Sequence, residues 1–327
     1  MNEEEQQQEE TTTTTKIYVV TGAGRGIGYA IVQELMQLKQ NENNERNERN
    51  ERVHVFGLDL AFPSSSSSDD DDDAAPSNTC TCSTNIVCDI TSEVSVQKAF
   101  EQIHNSIKST TTTTTTTAAA AAATRSTSNS SNVVVIKKFA GIVNCAGVVL
   151  EKSLLQTTIT ELDHVIAVNL RGTILCCQSA VKLHYQLLQQ EQLQLVVHPI
   201  HNNNNAIPKF KIINIASELA HLGRANYSIY SATKGGIISL TRSLALELAS
   251  EGITVNCVAL GPIDTPMLQS ERNYDNWKEN ADGSIPLGRI GTPQEIASMV
   301  SFLLQFNNGS NYMTGSIINV NGGAAMY

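Results

Sequence analysis

Three patterns are missing from this chain of 327 residues, and each absence excludes a class of protein. No apolar run reaches the roughly 18 residues that a membrane-spanning helix needs, so we expect no membrane partner. No patch of lysine and arginine is present, which argues against a nucleic-acid-binding surface. The seven cysteines include no Cys-x-x-Cys pair, so we expect no bound metal.

The cysteines also indicate a cellular compartment. They are odd in number and lack paired spacing, which is typical of reduced thiols and not of a disulfide-bonded domain. The N-terminal residues are acidic and polar, unlike a secretory or mitochondrial presequence. We therefore expect a cytoplasmic protein.

The net charge of −10 comes from two short runs and not from the chain as a whole. These runs hold ten acidic residues, as many as the imbalance itself: Glu3, Glu4, Glu5, Glu9, Glu10 and Asp69 to Asp73. The rest of the chain is close to neutral, so its charge does not identify a partner. Runs of like charge are typical of solvated segments.

Tracts of low complexity interrupt the chain. None contains enough apolar residues to bury a face, so we expect each to be solvated and mobile and to mark a surface loop. The foldable remainder suits one domain of about 250 residues. We predict a disordered acidic and threonine-rich tail at 1–15 and a single domain at 16–327, with tracts inserted near 41–52, 64–84, 109–131 and 198–206.

Short strands rich in valine and isoleucine alternate with helices along the rest of the chain. Strands are predicted at 16–20, 53–60, 85–90, 139–145, 210–216, 253–259 and 316–320. Helices are predicted at 29–39, 94–107, 162–188, 230–249 and 293–304. This alternation is typical of an α/β domain built on a doubly wound parallel sheet. In that architecture, ligands bind beyond the carboxyl ends of the strands.

The first predicted strand runs into a glycine-rich turn, TGAGRGIG, at 21–28. Such glycines allow a tight turn and let the backbone approach a pyrophosphate, whose charge the N-terminus of the following helix favours. An ordinary glycine-rich turn is the alternative, but a position directly after the first strand favours dinucleotide binding. The candidate cofactor residues at this turn are Thr21, Gly22, Arg25, Gly26, Ile27 and Gly28.

Asp59 ends the second predicted strand, where a carboxylate can bind the adenosine ribose hydroxyls. It follows Gly28 by 31 residues, more than the usual spacing of about 20, and the tract near 41–52 accounts for the excess. A 2′-phosphate near this carboxylate would cost roughly 1–4 kcal/mol for each charge pair at about 4 Å. Arg25 argues in the other direction, since a guanidinium in the turn could reach that phosphate. We expect NAD as the cofactor, with NADP the less favoured choice.

Two more strand ends carry candidate cofactor residues. Asp89 and Ile90 end the third strand, where an adenine ring could be met. Asn144, Ala146 and Gly147 end the fourth, where small residues would let a cofactor lie against the strand. Each of these positions also fits an ordinary loop.

Tyr230 and Lys234 carry the clearest chemistry. Four residues apart on a predicted helix, the phenol and the ammonium share one face, and Ser217 lies thirteen residues upstream. A phenol beside a fixed positive charge can give and take a proton on an oxygen near neutral pH. A second pair, Tyr274 and Lys278, has no serine at the same distance upstream. We interpret that second pair as part of a mobile segment that covers the substrate.

Together these residues resemble the short-chain dehydrogenase/reductase family in its single-domain form. The resemblance covers 16–327 apart from the inserted tracts, and it rests on the motifs TGAGRGIG, CDI, NCAG, VNL, NIAS, YSATK, VNCVALGPIDT and INVNGG. It implies a Rossmann fold and a homotetramer or homodimer. It implies further cofactor contacts at Gly261, Ile263 and Thr265. It also implies a catalytic tetrad of Asn169, Ser217, Tyr230 and Lys234, of which Tyr230 and Lys234 contact the cofactor as well.

The resemblance implies hydride transfer between a substrate carbon and a nicotinamide. A free phenol has a pKa of about 10, so Tyr230 would need a neighbouring positive charge to act as a general base at neutral pH. Lys234 and the oxidised nicotinamide would supply that charge. Ser217 would hold the substrate oxygen, and Asn169 would support a water path to the lysine.

The substrate is expected to be a small alcohol or ketone. The runs TGAGRGIGYA, GLDLAF, AHLGR and IPLGRIGTPQEIA are similar to those of 2,3-dihydro-2,3-dihydroxybenzoate dehydrogenases, which makes a cyclic dihydrodiol one candidate. The first alternative is a 3-oxoacyl-[acyl-carrier-protein] reductase that uses NADPH. The second, of another class, is a non-catalytic dinucleotide sensor, although a sensor has no need of Tyr230.

Overall fold

The computed structural model describes residues 11–41, 51–60, 84–108, 133–195, 209–270, 274–275, 283–306 and 309–326. Most of the low-complexity residues lie outside these ranges. Their solvated, mobile character and the division into a tail and one domain therefore stay predictions.

Seven strands form one parallel sheet in the spatial order β3-β2-β1-β4-β5-β6-β7. Their bounds are β1 Thr11–Thr21, β2 Glu51–Asp59, β3 Thr84–Val87, β4 Val133–Asn144, β5 Phe210–Ser217, β6 Ile253–Leu260 and β7 Ile317–Val320. The order reverses between β1 and β4, which is the switch point of a doubly wound sheet. The predicted fold class is confirmed.

The helices follow the strands as the alternation predicted. Their bounds are α1 Gly26–Asn41, α2 Glu93–Lys108, α3 Ile159–Ile166, α4 Thr173–Leu195, α5 Leu219–Leu222, α6 Ser228–Leu248, α7 Pro266–Gln269 and α8 Pro293–Leu304. Short 3₁₀ turns lie at Leu154–Gln156, Ala249–Glu251 and Gly309–Tyr312. Within the ranges given above, no helix combines the length and the apolar character that crossing a membrane requires.

Two apolar layers hold the helices on opposite faces of the sheet. On one face, α2, α4 and α6 pack on strand residues such as Phe56 and Ile212. On the other face, α1 and α8 pack on residues such as Val20, Val143 and Ile213. Because both faces are covered, every residue of β5 is buried. The strand ends are left as the open edge where a ligand can enter.

α3 and α8 have the same kind of N-terminal cap, which is encoded in the local sequence. The Thr158 side chain accepts a hydrogen bond from the Glu161 backbone, and the Glu161 carboxylate accepts one from the Thr158 backbone. Thr292 and Glu295 repeat this reciprocal pair at α8. A capping box of this kind satisfies amide groups that the first helical turn leaves unpaired.

β1 begins five residues earlier than predicted. Thr11–Thr15, which we expected in the disordered tail, belong to the strand and pair in parallel with the first residues of β4. Thr15 in this part of the strand is buried, with 8% of its surface exposed. Threonine is β-branched and fits a pleated surface. Thr11–Thr15 therefore form a strand by pairing with β4, although their composition suggested a disordered tail.

The long helix predicted at 162–188 is divided in the structure. α3 ends at Ile166, a π-helical segment spans Ala167–Gly172, and α4 begins at Thr173. Such segments are uncommon and often occur at functional sites. This one carries Asn169, which is fully buried.

A buried lysine at the other end of the sheet holds the end of α8. Lys211 lies in β5, and its Nζ donates hydrogen bonds to the carbonyl oxygens of Leu303 and Gln305. The same ammonium also donates to Ser310 Oγ and Asn311 Oδ1, each at 2.9 Å. Burial lowers the pKa of Lys211 to about 8.

Candidate active site

A cavity of about 620 Å³ opens at the carboxyl ends of the strands. The turn after β1, the ends of β2 and β5 and the segment after β6 all contribute to its lining. The cavity therefore lies at the edge of the sheet where α/β proteins of this architecture bind ligands.

The glycine turn after β1 is built by close backbone contacts. Gly22 has φ +67°, and a Cβ at this position would lie 2.8 Å from Ala146 Cα. A Cβ on Gly28 would lie 2.0 Å from the carbonyl oxygen of Gly22. Both positions therefore require glycine, one to pack β1 against β4 and the other to pack α1 against the turn.

The carboxylate of Asp59 ties this turn to the end of β2. Its Oδ2 accepts a hydrogen bond from the Gly24 amide at 2.8 Å, and its Oδ1 accepts one from the Leu60 amide at 2.7 Å. Asp59 is half-buried and lines the cavity. It thus positions the glycine turn and presents an acidic group to any ligand bound there.

Ser217, Tyr230 and Lys234 line the same cavity. Ser217 is the last residue of β5, and its Oγ accepts a hydrogen bond from the Leu219 amide at 3.2 Å. Tyr230 and Lys234 lie on α6, where the Lys234 Nζ is 5.8 Å from the centre of the Tyr230 ring. The structure therefore brings together the three residues that sequence spacing had associated.

Lys234 is almost completely buried, with 5% of its surface exposed. Its Nζ donates a hydrogen bond to the Ile215 carbonyl at 3.0 Å. Burial lowers the pKa of Lys234, while the nearby thiols of Cys145 and Cys257 act in the opposite direction. A lysine in this environment releases its proton more readily than one in water.

Asn169 does not line the cavity but lies directly behind it. Its side chain binds the backbone of Val148 in both directions, accepting at 2.8 Å and donating at 2.9 Å. It also donates to Thr233 Oγ1 at 3.2 Å, and that hydroxyl donates to the Tyr230 carbonyl at 2.7 Å. The π-helical segment is thereby linked to the start of α6.

Gly147 separates Asn169 from Lys234. A Cβ on this glycine would lie 3.3 Å from Asn169 Oδ1 and 3.4 Å from Lys234 Nζ. The small residue therefore leaves room between the amide and the ammonium, and Asn169 lies next to the cavity that Ser217, Tyr230 and Lys234 line.

A family model described as Enoyl-(Acyl carrier protein) reductase matches residues 133–325 of the chain. The chain belongs to the short-chain dehydrogenase/reductase family. The predicted membership in this family and the predicted enzyme class, an oxidoreductase, are thus confirmed.

Two curated proteins illustrate the relationship of this short-chain dehydrogenase/reductase to others. Over 310 residues it is 28% identical to the 3-oxoacyl-[acyl-carrier-protein] reductase FabG of Aquifex aeolicus, covering 94% of this chain and 96% of that one. Over 185 residues it is 35% identical to the (3R)-3-hydroxyacyl-CoA dehydrogenase of Mus musculus, covering 57% of this chain and 62% of that one.

Two solved structures show the same fold. A short chain dehydrogenase family protein from Francisella tularensis superposes with a TM-score of 0.61 at 24% identity, covering 94% of this chain and 98% of that one. The aldohexose dehydrogenase of Thermoplasma acidophilum, in ligand-free form, gives 0.63 at 23% identity, covering 95% of this chain and 94% of that one.

Most predicted cofactor residues of this short-chain dehydrogenase/reductase line the cavity. They are Gly22, Arg25, Gly26, Ile27, Gly28, Asp59, Asp89, Ile90, Ala146, Gly147, Tyr230, Lys234, Gly261, Ile263 and Thr265. Several come from segments more than 100 residues apart in sequence, and the parallel sheet aligns them at one edge.

Thr21 and Asn144 are not among the lining residues. Thr21 Oγ1 accepts hydrogen bonds from the Cys145 and Ala146 amides, so it joins the ends of β1 and β4. The Asn144 amide donates to Cys177 Sγ on α4 and, at 2.8 Å, to Asn214 Oδ1 on β5. Both side chains support the strand ends from behind, and the Asn144 side chain is directed into the core.

The second tyrosine–lysine pair has a different environment. The Tyr274 hydroxyl donates a hydrogen bond to Asp264 Oδ1 at 2.8 Å, and Tyr274 is not a lining residue. Lys278 lies outside the described residues. The interpretation of this pair as part of a mobile cover stays a prediction.

Glu218 is a titratable residue in the cavity wall that sequence reasoning missed. It follows Ser217 directly and is 3% exposed. Burial raises the pKa of its carboxyl to about 7, although the charge of Arg224 acts in the opposite direction. No motif marked this glutamate, because the signal is its burial and not its position in the sequence.

Proposed function

We propose that this protein interconverts a secondary alcohol and a ketone by hydride transfer with a nicotinamide dinucleotide, with NAD preferred over NADP. The observation that carries this proposal is the placement of Ser217, Tyr230 and Lys234 in one cavity with the glycine turn of β1. A substrate in this cavity would therefore contact the groups that transfer its proton and, at the same time, a dinucleotide bound at the glycine turn.

The residues of the turn fit a dinucleotide. Gly22 and Gly28 let the turn pack tightly against β4 and the start of α1, and a tight turn at a helix N-terminus can present its backbone amides to a pyrophosphate. Asp59 would bind the adenosine ribose hydroxyls from the end of β2. Its carboxylate would oppose a 2′-phosphate by roughly 1–4 kcal/mol for each charge pair, which supports NAD. Exposed Arg25 in the same turn is the feature that favours NADP.

The dinucleotide, when bound, accepts or supplies the hydride. Ser217 would hold the substrate oxygen against Tyr230, which would take the hydroxyl proton in oxidation and return it in reduction. The buried ammonium of Lys234 would favour the phenolate form of Tyr230. Asn169 would position this group by binding the Val148 backbone and Thr233, so we assign it a supporting role.

The substrate we propose first is a cyclic dihydrodiol such as 2,3-dihydro-2,3-dihydroxybenzoate. The motif resemblance supports it, and Arg224 in the cavity wall could pair with a carboxylate of such a substrate. The second candidate is the NADPH-dependent reduction of a carrier-bound 3-oxoacyl thioester. The similarity to the Aquifex aeolicus reductase, which extends over 94% of the chain, favours this candidate.

We also propose a cytoplasmic homotetramer or homodimer. α3, α4 and α6 expose the large apolar side chains of Ile159, Ile174 and Leu246, at 72%, 43% and 85%. A second subunit packed against these helices would cover such side chains, which supports an oligomer.

Turnover of a panel of alcohols and ketones with NAD and with NADP tests the proposal. We expect Tyr230→Phe to lower kcat by about 100- to 10,000-fold, because it removes the general base. Its affinity for NADH, measured by fluorescence titration, should stay close to that of the wild type. Tyr274→Phe is the matched control, since it removes the hydroxyl of the other tyrosine–lysine pair, and it should lower kcat far less.

Dinucleotide binding without turnover that depends on Tyr230 would contradict both enzyme candidates. A higher kcat/KM with NADP than with NAD would contradict the cofactor assignment alone. The panel includes the dihydrodiol and a 3-oxoacyl thioester, so the preferred substrate distinguishes the two candidates.

A further inference from the structure

Glu218 is fixed at the edge of the cavity by its backbone. Its amide donates a hydrogen bond to the Leu260 carbonyl at 2.8 Å, which joins the end of β5 to the end of β6. It lines the same cavity as Ser217 and Tyr230. The mechanism described above does not use this residue.

The carboxyl of Glu218 has no evident structural task. Glu218 stands at the N-cap of α5, but its side chain accepts no hydrogen bond from that helix. Its Oε2 is shielded from solvent and has no hydrogen-bond partner in the part of the chain that the structure describes. Buried polar atoms in folded proteins are paired in the great majority of cases. This unpaired oxygen, on a residue of the cavity wall, is a position where a bound molecule can supply the partner.

The protonation of Glu218 narrows the choice of partner. Because burial raises its pKa to about 7, both the carboxylic acid and the carboxylate are present near neutral pH. A hydroxyl group can accept a hydrogen bond from the acid and donate one to the carboxylate. An ammonium group suits only the carboxylate, and a second carboxylate suits only the acid. A hydroxyl, unlike these two charged groups, matches both states of Glu218.

We propose that Glu218 determines specificity by binding a second hydroxyl group of the substrate, on a carbon next to the one that reacts. This inference rests on the proposed function, in which Ser217 holds the reacting oxygen. Glu218 follows Ser217 directly and lines the same cavity, so we place the second hydroxyl group beside the reacting oxygen. The substrate class is therefore a vicinal diol or the matching α-hydroxyketone.

Matched ketones test this assignment. With NADH, reduction of 2-hydroxycyclohexanone or cyclohexanone adds a hydride to the carbonyl carbon and a proton to its oxygen, and gives the alcohol and NAD⁺. We expect the wild type to favour the hydroxyketone at least tenfold in kcat/KM. Glu218→Met, which keeps the length but removes the polar atoms, should reduce that ratio to about twofold or less. Glu218→Gln, which keeps a donor and an acceptor, should retain most of the ratio.

A structural role for Glu218 would give a different result. If the glutamate only positioned Ser217, Glu218→Met would lower kcat/KM for both ketones by the same factor and leave their ratio unchanged. That result, or a wild type without preference for the hydroxyketone, would overturn the proposal.

A binding measurement separates this proposal from the proposed function. Calorimetric titration of the NADH-saturated protein with cyclohexane-1,2-diol and with cyclohexanol measures binding alone, since a reduced nicotinamide cannot oxidise an alcohol. Binding of the diol at least tenfold more tightly, lost in Glu218→Met, would support the role of Glu218 even if neither ketone were reduced. Equal affinities for the two alcohols would overturn it. Absence of turnover in every assay would count against the proposed function instead.

Discussion

A methyl group at position 28 would lie inside the backbone of the glycine turn. The Cβ of an alanine there would be 2.0 Å from the Gly22 carbonyl oxygen and 2.7 Å from its carbonyl carbon. Real Cβ atoms almost never approach other heavy atoms within 3.0 Å, so α1 and the turn must separate by at least about 1 Å. Both contacting groups are backbone, and no side chain can rotate away to relieve the overlap.

The cost of Gly28→Ala has two parts. Overpacking of a tightly packed site costs about 1–3 kcal/mol. Moving the turn also strains the hydrogen bond from the Gly24 amide to Asp59, and bonds to charged groups contribute about 1.5–3 kcal/mol. We expect the free energy of unfolding to fall by about 2–5 kcal/mol. The affinity for NADH should fall at least tenfold, since the turn is the proposed pyrophosphate cradle.

Urea unfolding and fluorescence titration with NADH measure the two effects. Gly235→Ala in α6 is the control, because the nearest atom outside its own helix, the Ala220 carbonyl oxygen, would be 4.0 Å from the new Cβ. Alanine is favoured over glycine inside a helix, so this control should gain about 0.5–1 kcal/mol of stability. Unchanged NADH affinity in a folded Gly28→Ala protein would refute the assignment of this turn as the cradle.

Two further predictions concern stability. Lys211→Met should lower the free energy of unfolding by about 3 kcal/mol or more in urea denaturation, because buried acceptors such as Ser310 Oγ lose their donor. The half-exposed pair of Lys152 and Glu161 gives the control, and equal losses in Lys152→Met and Lys211→Met would contradict this reasoning. Burial lowers the pKa of His184 from 6.5 to about 4. The buried neutral imidazole therefore contributes its full share of stability above pH 6.5, and about 3 kcal/mol of that stability is lost as the pH falls toward 4. His184→Phe should lose this part of the acid sensitivity, and an identical pH profile for the variant and the wild type would show that His184 is not its source.

Elements with strong local patterns were predictable from the sequence. The alternation of strands and helices predicted α8 with its observed bounds, Pro293–Leu304, and the structure adds the capping pair of Thr292 and Glu295 at its start. The start of β1 was not predictable, since Thr11–Thr15 has a low-complexity composition and becomes a strand by pairing with β4. The π-helical segment around Asn169 was also missed, and Asn169 within it is held by Val148 and Thr233, which are distant from it in the sequence.

The sequence by itself determined the candidate chemistry and its order along the chain. A four-residue spacing places Tyr230 and Lys234 on one helical face, and alternating strands and helices place Ser217 at a strand end. Only the tertiary structure decided that Tyr230 and Lys234 meet the cavity, because that depends on α6 packing beside β5. It also decided that Lys234 and Glu218 are buried, and so altered their pKa values, since desolvation arises from residues distant in sequence.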